Sequence, residues 1–597
     1  MTSRATITKR ILSIVIVVIL CAAAALAADF STPAERSQYR RTATYDEAVD
    51  YFQRLEKASG WVKLTRFGTS PQGRALHLVI VSSEKAFTPE AARKSGKVIM
   101  LVQNSIHAGE MDGTDASMAL VRDIAVTKER AAFLDSVILL VIPIFNTDGH
   151  ENTSHYTRPN QDGPENAGFR ATAQLLNLNR DYMKADTPEM RAWIAMWQRW
   201  MPDFFVDDHI SDGGDWQYTV AYTVPWHPNA PESIREWTRS IYDSNVKRQV
   251  EKAGYKTFPY AFLRGNNLHS GVATYVDSPR LSTGYTILWN RPGVLVEMHS
   301  LKDFRTRVLG NYAMLAATLD NLNHNATSLK QAIARADSQT VAGLTDPYPL
   351  SFRPDGDSVM VDFAGYEFDT LHSDATGGQY PKYRRDKPQV WRIPYFGTFK
   401  PRVTVLPPRA YLIPREWGEQ IERLRLHGIH LDTLTGSLTA KVELYYLDSL
   451  KWSSAPYENH LQPRYRAVVH ETTATFPAGT VVVDLHQLVA KVAIQALEPQ
   501  GQDSWVAWGL WNTIFERKEY IEDYVIDPLA DSMLATDPKL KAEFDTRMKS
   551  DTTFAKSTEA RREFFYGRSR FAETQVGWYP VARLLGSMPA VAPMDAR

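Results

Sequence analysis

Four short runs in the first half of the chain are almost wholly apolar: residues 98–104, 137–144, 204–208 and 293–298. Runs of this length suit strands rather than helices. A strand that is apolar on both faces must be covered on both faces, as in a parallel or mixed sheet between two helical layers. The stretches between the runs carry helix signals. Thr44-x-x-Glu47 is a capping box for a helix running to about residue 55. Residues 114 to about 128 read as a second helix, and Thr187-Pro188 opens a third. In that third helix Met190, Trp193, Ile194 and Trp197 recur at i, i+3, i+4 and i+7 and share an inward face. Residues 64–66 and 76–81 read as paired strands around the turn Ser70-Pro71-Gln72-Gly73. The expected fold is α/β, a mixed central β-sheet flanked by helices.

Arg4, Lys9 and Arg10 precede an apolar run that closes on Ala25-Leu26-Ala27. A basic start, an apolar middle and a small-residue end make a secretory signal over residues 1–28, which implies a secreted or periplasmic protein. An uncleaved N-terminal anchor is the alternative. No other long apolar run exists, which excludes a polytopic membrane protein. The only cysteine, Cys21, lies in this segment, so the remainder has no disulfide, no thiolate nucleophile and no Cys-ligated metal. A metal site must then be built from His and carboxylates. Lys+Arg and Asp+Glu both number 68, and removing the signal leaves 65 cations against 68 anions, a net −3. No basic field is present to attract nucleic acid.

From about Leu344 the character changes. Pro407-Pro408, Pro414, short alternating strands at 441–447 and 480–484, and an aromatic-rich tail replace the earlier alternation. One helix reads clearly, about 415 to 427, stopped by Gly428. The expected organisation is a signal peptide (1–28), an α/β domain (29–335) and a C-terminal extension (345–597). The extension reads as a β-rich, sandwich-like piece followed by helices. Its Trp505, Trp508 and Trp511 suit either core or a glycan- or peptide-binding groove.

The candidate chemistry sits at the ends of the apolar runs. The run 98–104 leads into His107-x-x-Glu110, and 204–208 leads into His209. Two imidazoles and a carboxylate form a three-ligand zinc set that leaves a position open for water, and carboxyl ends of strands are where open α/β sheets place their sites. Glu297, late in the run 293–298, is costly to bury unless something uses it, and fits a general base. Asn179-Arg180 offers a planar guanidinium beside an amide, suited to a carboxylate. Arg170 is placed to stabilise an oxyanion. His150-Glu151-x-x-x-His155 imitates a metalloprotease helix motif, but five residues on a helix set the two rings about 140° apart. That stretch reads as loop.

Taken in order, Gly68-Thr69-Ser70-Pro71-Gln72-Gly73-Arg74, His107-x-x-Glu110, Asn146-Thr147-Asp148-Gly149, Arg170, Asn179-Arg180, His209 and Glu297 resemble the zinc carboxypeptidase (M14-type) family over about residues 40–325. The resemblance implies a mixed sheet of about eight strands and one Zn²⁺ held by His107, Glu110 and His209. It assigns Glu297 as general base and later proton donor, and Arg170 as the group polarising the carbonyl. Asn179 and Arg180 would bind the terminal carboxylate, and a mobile tyrosine, Tyr275 or Tyr285, would close over the substrate. Gly109 stands where the digestive members of the family have arginine, and Asp181 where asparagine is common. The expected activity is secreted, zinc-dependent hydrolysis of C-terminal peptide bonds, with peptide or protein C-termini as partners and the oligomeric state left open. Two alternatives remain: a zinc amidohydrolase acting on peptidoglycan stem peptides or small amides or esters, and a non-catalytic binding protein on the same scaffold.

Overall fold

The computed structural model describes residues 30–265 and 268–594; the signal-like segment 1–28 lies outside them. The first helix of the sheet region, α1 (Tyr45–Ala58), starts with the capping box read from the sequence: the Thr44 side chain accepts from Glu47 N–H and the Glu47 carboxylate accepts from Thr44 N–H. Strands β1 (Val62–Thr69) and β2 (Ala75–Val81) pair antiparallel around the 70–73 turn. The apolar runs become β3 (Val98–Gln103), β4 (Val137–Ile142), β5 (Phe204–Ser211) and, after β6 (Val220–Thr223) and β7 (Thr257–Pro259), β8 (Gly293–His299). Their order across the sheet is β1-β2-β4-β3-β5-β8-β6-β7. β4, β3, β5 and β8 run parallel, with antiparallel pairs on both sides, so the sheet is mixed.

Alternate residues of each central strand feed two cores. Val98, Met100 and Val102 of β3 pack on one side with α1, with α2 (Asp112–Ala125) and with the 38-residue helix Phe304–Val341. Ile99 and Leu101 point to the other side, where α3 (Pro188–Trp200) buries Met190, Trp193, Ile194 and Trp197 as its periodicity requires. Thr187 caps α3 and proline occupies its first turn.

Two local expectations change. The helix after β3 covers Asp112–Ala125 rather than 114–128, because the chain leaves it at Val126 and turns. The 150–155 stretch is not all loop: Thr147–Glu151 forms one helical turn capped by Asn146, and His155 lies beyond it, its Nδ1 at 2.8 Å from the Glu165 carbonyl. The two rings therefore do share no helix.

The C-terminal half is β-rich with helices at its end. Its main element is one seven-stranded sheet, which includes Ala410–Ile413, Leu438–Trp452, Pro463–Phe476 and Val481–Asp484. One face of that sheet joins the same core as α3: Tyr411, Ile413, Val481 and Val483 belong to it together with Trp193, Trp505 and Trp511. This seven-stranded sheet is laid on the N-terminal half; Tyr348–Pro354 with Phe399–Val405, and Val359–His372 with Gln379–Phe396, pair in two further sheets. Gly418–Leu426 is the helix read from the sequence, and Gly428 beyond it has a left-handed φ of +75°. Among the described residues, no helix is long and apolar enough to cross a membrane.

Candidate active site

β3 lies between β4, the next strand in the chain, and β5. The chain thus leaves β3 to one side and returns on the other, which opens a crevice at the carboxyl ends of β3 and β5. His107 and Glu110 sit in the turn after β3, where Glu110 N–H donates to the His107 carbonyl and brings the two side chains together. Gly109 between them has no room for a side chain: a Cβ would lie 2.5 Å from the Gly168 carbonyl and 2.6 Å from Arg158 Cγ. His209 arrives on β5. Glu297 on β8 is its register partner across the parallel pair, so the two side chains emerge on the same face.

The three candidate ligands converge. His209 Nδ1 lies 2.9 Å from Glu110 Oε2 and 3.1 Å from His107 Nδ1, and His107 Nδ1 lies 3.2 Å from Glu110 Oε1. A tetrahedral zinc with arms of about 2.0–2.1 Å wants its ligand atoms about 3.3 Å apart. All three residues are buried, and together they form a group able to hold a metal ion. The far nitrogen of His209 is 2.8 Å from Asp207 Oδ2, whose other oxygen accepts from Gln103. A carboxylate behind a ligating histidine fixes ring and tautomer, so that Nδ1 faces the ligand point. His107 Nε2 has no protein partner.

The electrostatics favour a cation at that point. Burial pushes the His107 imidazole down to about 4, so it is neutral at pH 7 and its lone pair is available. Burial opposes ionisation of Glu110, but His107, Arg158 and the hydrogen bonds to both imidazoles hold its carboxyl well below the usual range. Burial works against a charged His209 as well, yet Asp207 and Glu110 raise it far above an ordinary imidazole. The field that retains a proton there would equally retain a metal ion. Burial, with the charges of Glu110 and Asp207, lifts the Glu297 carboxyl to about 8 against the lowering influence of His209. A cation beside it would bring it back toward the carboxylate form.

A cleft of about 380 Å³ collects His107, Arg170, Asn179, Arg180, His209, Tyr275 and Glu297, with Tyr260, Phe262 and Asp277 completing its wall. Asn179 and Arg180 lie on a single 3₁₀ turn (Leu178–Arg180), with Asn177 Oδ1 accepting from Asn179 N–H. Asn179 Oδ1 accepts from Ser282 N–H, which ties the turn to the opposite wall. Arg170, partly exposed, reaches Glu110 Oε1 at 3.3 Å. Tyr275 lines the cleft, its hydroxyl kept neutral first by burial and then by Asp277 and Glu297. Tyr285 does not reach the cleft. It is fully buried against Trp193 and Tyr182, and its hydroxyl is 2.7 Å from His427 Nδ1, which corrects its candidacy as the closing residue.

Sequence reading missed Asp207, although it alternates with His209 on one strand face. It also missed Arg158, whose Nη2 donates to Glu110 Oε1 at 2.8 Å across Gly109. Arg158 lies on a loop 48 residues beyond Glu110. A hollow of about 750 Å³, lined in part by Arg158, shares no residue with the cleft.

The fold and this set of side chains define a metallohydrolase architecture. Residues 48–258 match the family model described as zinc carboxypeptidase (Peptidase_M14), so this part of the chain carries a domain of that family. Among similar proteins, carboxypeptidase 2 of Trichophyton tonsurans is 25% identical over 497 residues, covering 78% of this chain and 84% of the relative. Carboxypeptidase 2 of Trichophyton rubrum is 23% identical over 493 residues, with the same coverage. Among solved structures, a metallo-carboxypeptidase from Burkholderia cenocepacia aligns with a TM-score of 0.35 and 15% identity, over 47% of this chain and 70% of that one. Carboxypeptidase A from Helicoverpa armigera aligns with a TM-score of 0.36 and 15% identity, over 52% and 78%.

Proposed function

We propose that this protein is an exported zinc exopeptidase that removes the C-terminal residue of peptides. The observation that carries the reading is the convergence of His107, Glu110 and His209 at one point, beside a cleft that His107 and His209 line together with Glu297 and the Asn179-Arg180 pair. The donor set and spacing fit zinc, held by His107, Glu110 and His209. When bound, zinc would supply Lewis-acid polarisation of the scissile carbonyl and of the attacking water.

The chain's own residues do the rest. Arg180 and Asn179 take the substrate's terminal carboxylate and set which peptide bond reaches the catalytic groups. Glu297 accepts the proton of the attacking water on a carboxylate oxygen and returns it to the leaving amine nitrogen. Arg170 donates to the carbonyl oxygen as negative charge develops there. Tyr275, on the same wall, covers the bound residue. Export rests on the signal-like segment 1–28.

The test is hydrolysis of N-blocked dipeptides offered as free acids and as C-terminal amides, with and without chelator. The reading predicts chelator-sensitive release of the last residue from the acids and strong discrimination against the amides. Equal rates on both would transfer the site to the amidohydrolase reading. No turnover on either, with metal bound, would leave a binding protein.

A further inference from the structure

One loop of the C-terminal half reaches Arg180 in the cleft directly. The tip of the hairpin formed by Leu438–Trp452 and Pro463–Phe476 carries Tyr457, Glu458 and His460. Arg180 Nε donates to Tyr457 Oη at 3.1 Å, across 277 residues of sequence. Arg180 Nη1 donates to the Asn179 carbonyl at 2.7 Å. Both partners are neutral oxygens, and no carboxylate among the described residues pairs with this guanidinium. Its charge is therefore left for a ligand, while its orientation is already set. The tyrosine is itself held: its ring stacks on that of the buried Trp508, with centroids 6.0 Å apart and planes 11° apart. Two further bonds fix the hairpin tip to the segment bearing Arg180. Glu458 Oε2 accepts from Asn177 N–H at 2.9 Å, and His460 Nε2 lies 2.7 Å from Asp186 Oδ2.

We propose that Tyr457 is a positioning residue for the substrate carboxylate, acting through Arg180, so that the C-terminal half completes the specificity end of the active site. The proposal rests on the function proposed above and names the device by which that site recognises a free C-terminus. A guanidinium on an unrestrained stem loses rotamer freedom when it grips a ligand. A hydroxyl that fixes Nε in advance removes that loss and aims the Nη edge. The bond is made in the free enzyme and is not to a reacting atom, so its loss acts on binding rather than on the chemical step.

The experiment compares the full-length wild type, Tyr457→Phe and Arg180→Gln on N-acetyl-Ala-Leu as free acid and as amide. Tyr457→Phe keeps the ring on Trp508 and deletes only the hydroxyl. The expected result is a KM for the acid raised about five- to tenfold, kcat within about twofold, and no change on the amide. Dissociation constants for the same acid, measured by calorimetry in the Glu297→Gln background, should shift by the same factor. A Tyr457→Phe enzyme with wild-type KM and Kd, beside an Arg180→Gln enzyme that has lost its preference for the acid, overturns the role of Tyr457 and leaves the exopeptidase reading intact. An Arg180→Gln enzyme that keeps the preference removes the carboxylate anchor itself, and the proposal with it. A fall in kcat equal on acid and amide assigns Tyr457 to fold maintenance and also overturns the proposal.

Discussion

Two pieces of the C-terminal half relate to the enzyme in opposite ways, although the helices at 523–566 lie in sequence between strands of the seven-stranded sheet. The seven-stranded sheet, with Trp505 and Trp511, shares one continuous core with α3, and Trp505 Nε1 donates to the Met183 carbonyl at 2.8 Å. The helices Asp523–Thr536, Pro538–Ser550, Thr552–Lys556 and Thr558–Tyr566 instead bury Ile526, Leu540, Phe554, Phe564 and Phe565 among themselves, in a separate small core. Buried continuity, rather than position along the chain, decides what counts as part of the catalytic body. The sheet and its tryptophans are part of it, and the helical cluster is an appendage.

Four substitutions sharpen or break that distinction. The largest effect belongs to the chemistry itself. Glu297→Gln is expected to lower kcat by at least about a hundredfold, with melting temperature and metal content unchanged; steady-state kinetics and metal analysis on one preparation check it. Next comes the shared core, where Trp505→Ala should cost about 3–5 kcal/mol. Stability and activity should then fall together in one unfolding transition followed by both circular dichroism and turnover, whereas two separate transitions would break the comparison.

The third prediction concerns Glu189 in the first turn of α3. Its carboxyl is buried, neither oxygen has a partner, and burial, with the charges of Asp148 and Asp181, lifts it to about 7 from an ordinary 4.5. Between those values the folded protein keeps a proton that the unfolded chain releases, so stability falls as pH rises through the window and the loss is complete above it. Glu189→Gln should therefore stabilise by about 2–3 kcal/mol at pH 8 and by almost nothing at pH 4. Thermal melts at the two pH values read the difference. The smallest effect on activity is expected for Phe564→Ala, which should speed hydrogen exchange in the 523–566 helices and leave kcat/KM within about twofold.

The site was legible where chemistry and periodicity coincide. His107, Glu110, His209 and Glu297 each stand at or near the end of an apolar strand, and only a sheet that gathers those ends can make use of them. The flanking elements were legible for local reasons: a capping box, a proline in the first turn, a glycine stop. Residues whose role depends on contacts distant in sequence were not. Arg158 reaches Glu110 from a loop without regular periodicity, and Tyr457 meets Arg180 only because the C-terminal sheet docks on α3. Tyr285 failed as a candidate because spacing from Glu297 does not reveal which way a ring points; it faces His427 and the aromatic core. The long helix Phe304–Val341 shows no simple apolar stripe, because it buries residues against α2, against the helices Glu232–Trp237 and Ser244–Lys252, and against the sheet.

The direct test of the whole account is the zinc content of the purified full-length protein and of its His209→Ala variant, measured alongside chelator-sensitive release of C-terminal residues. One zinc per chain in the wild type, lost together with activity in the variant, is the predicted result. A wild type that hydrolyses C-termini without metal, or a variant that keeps both its zinc and its activity, would contradict it.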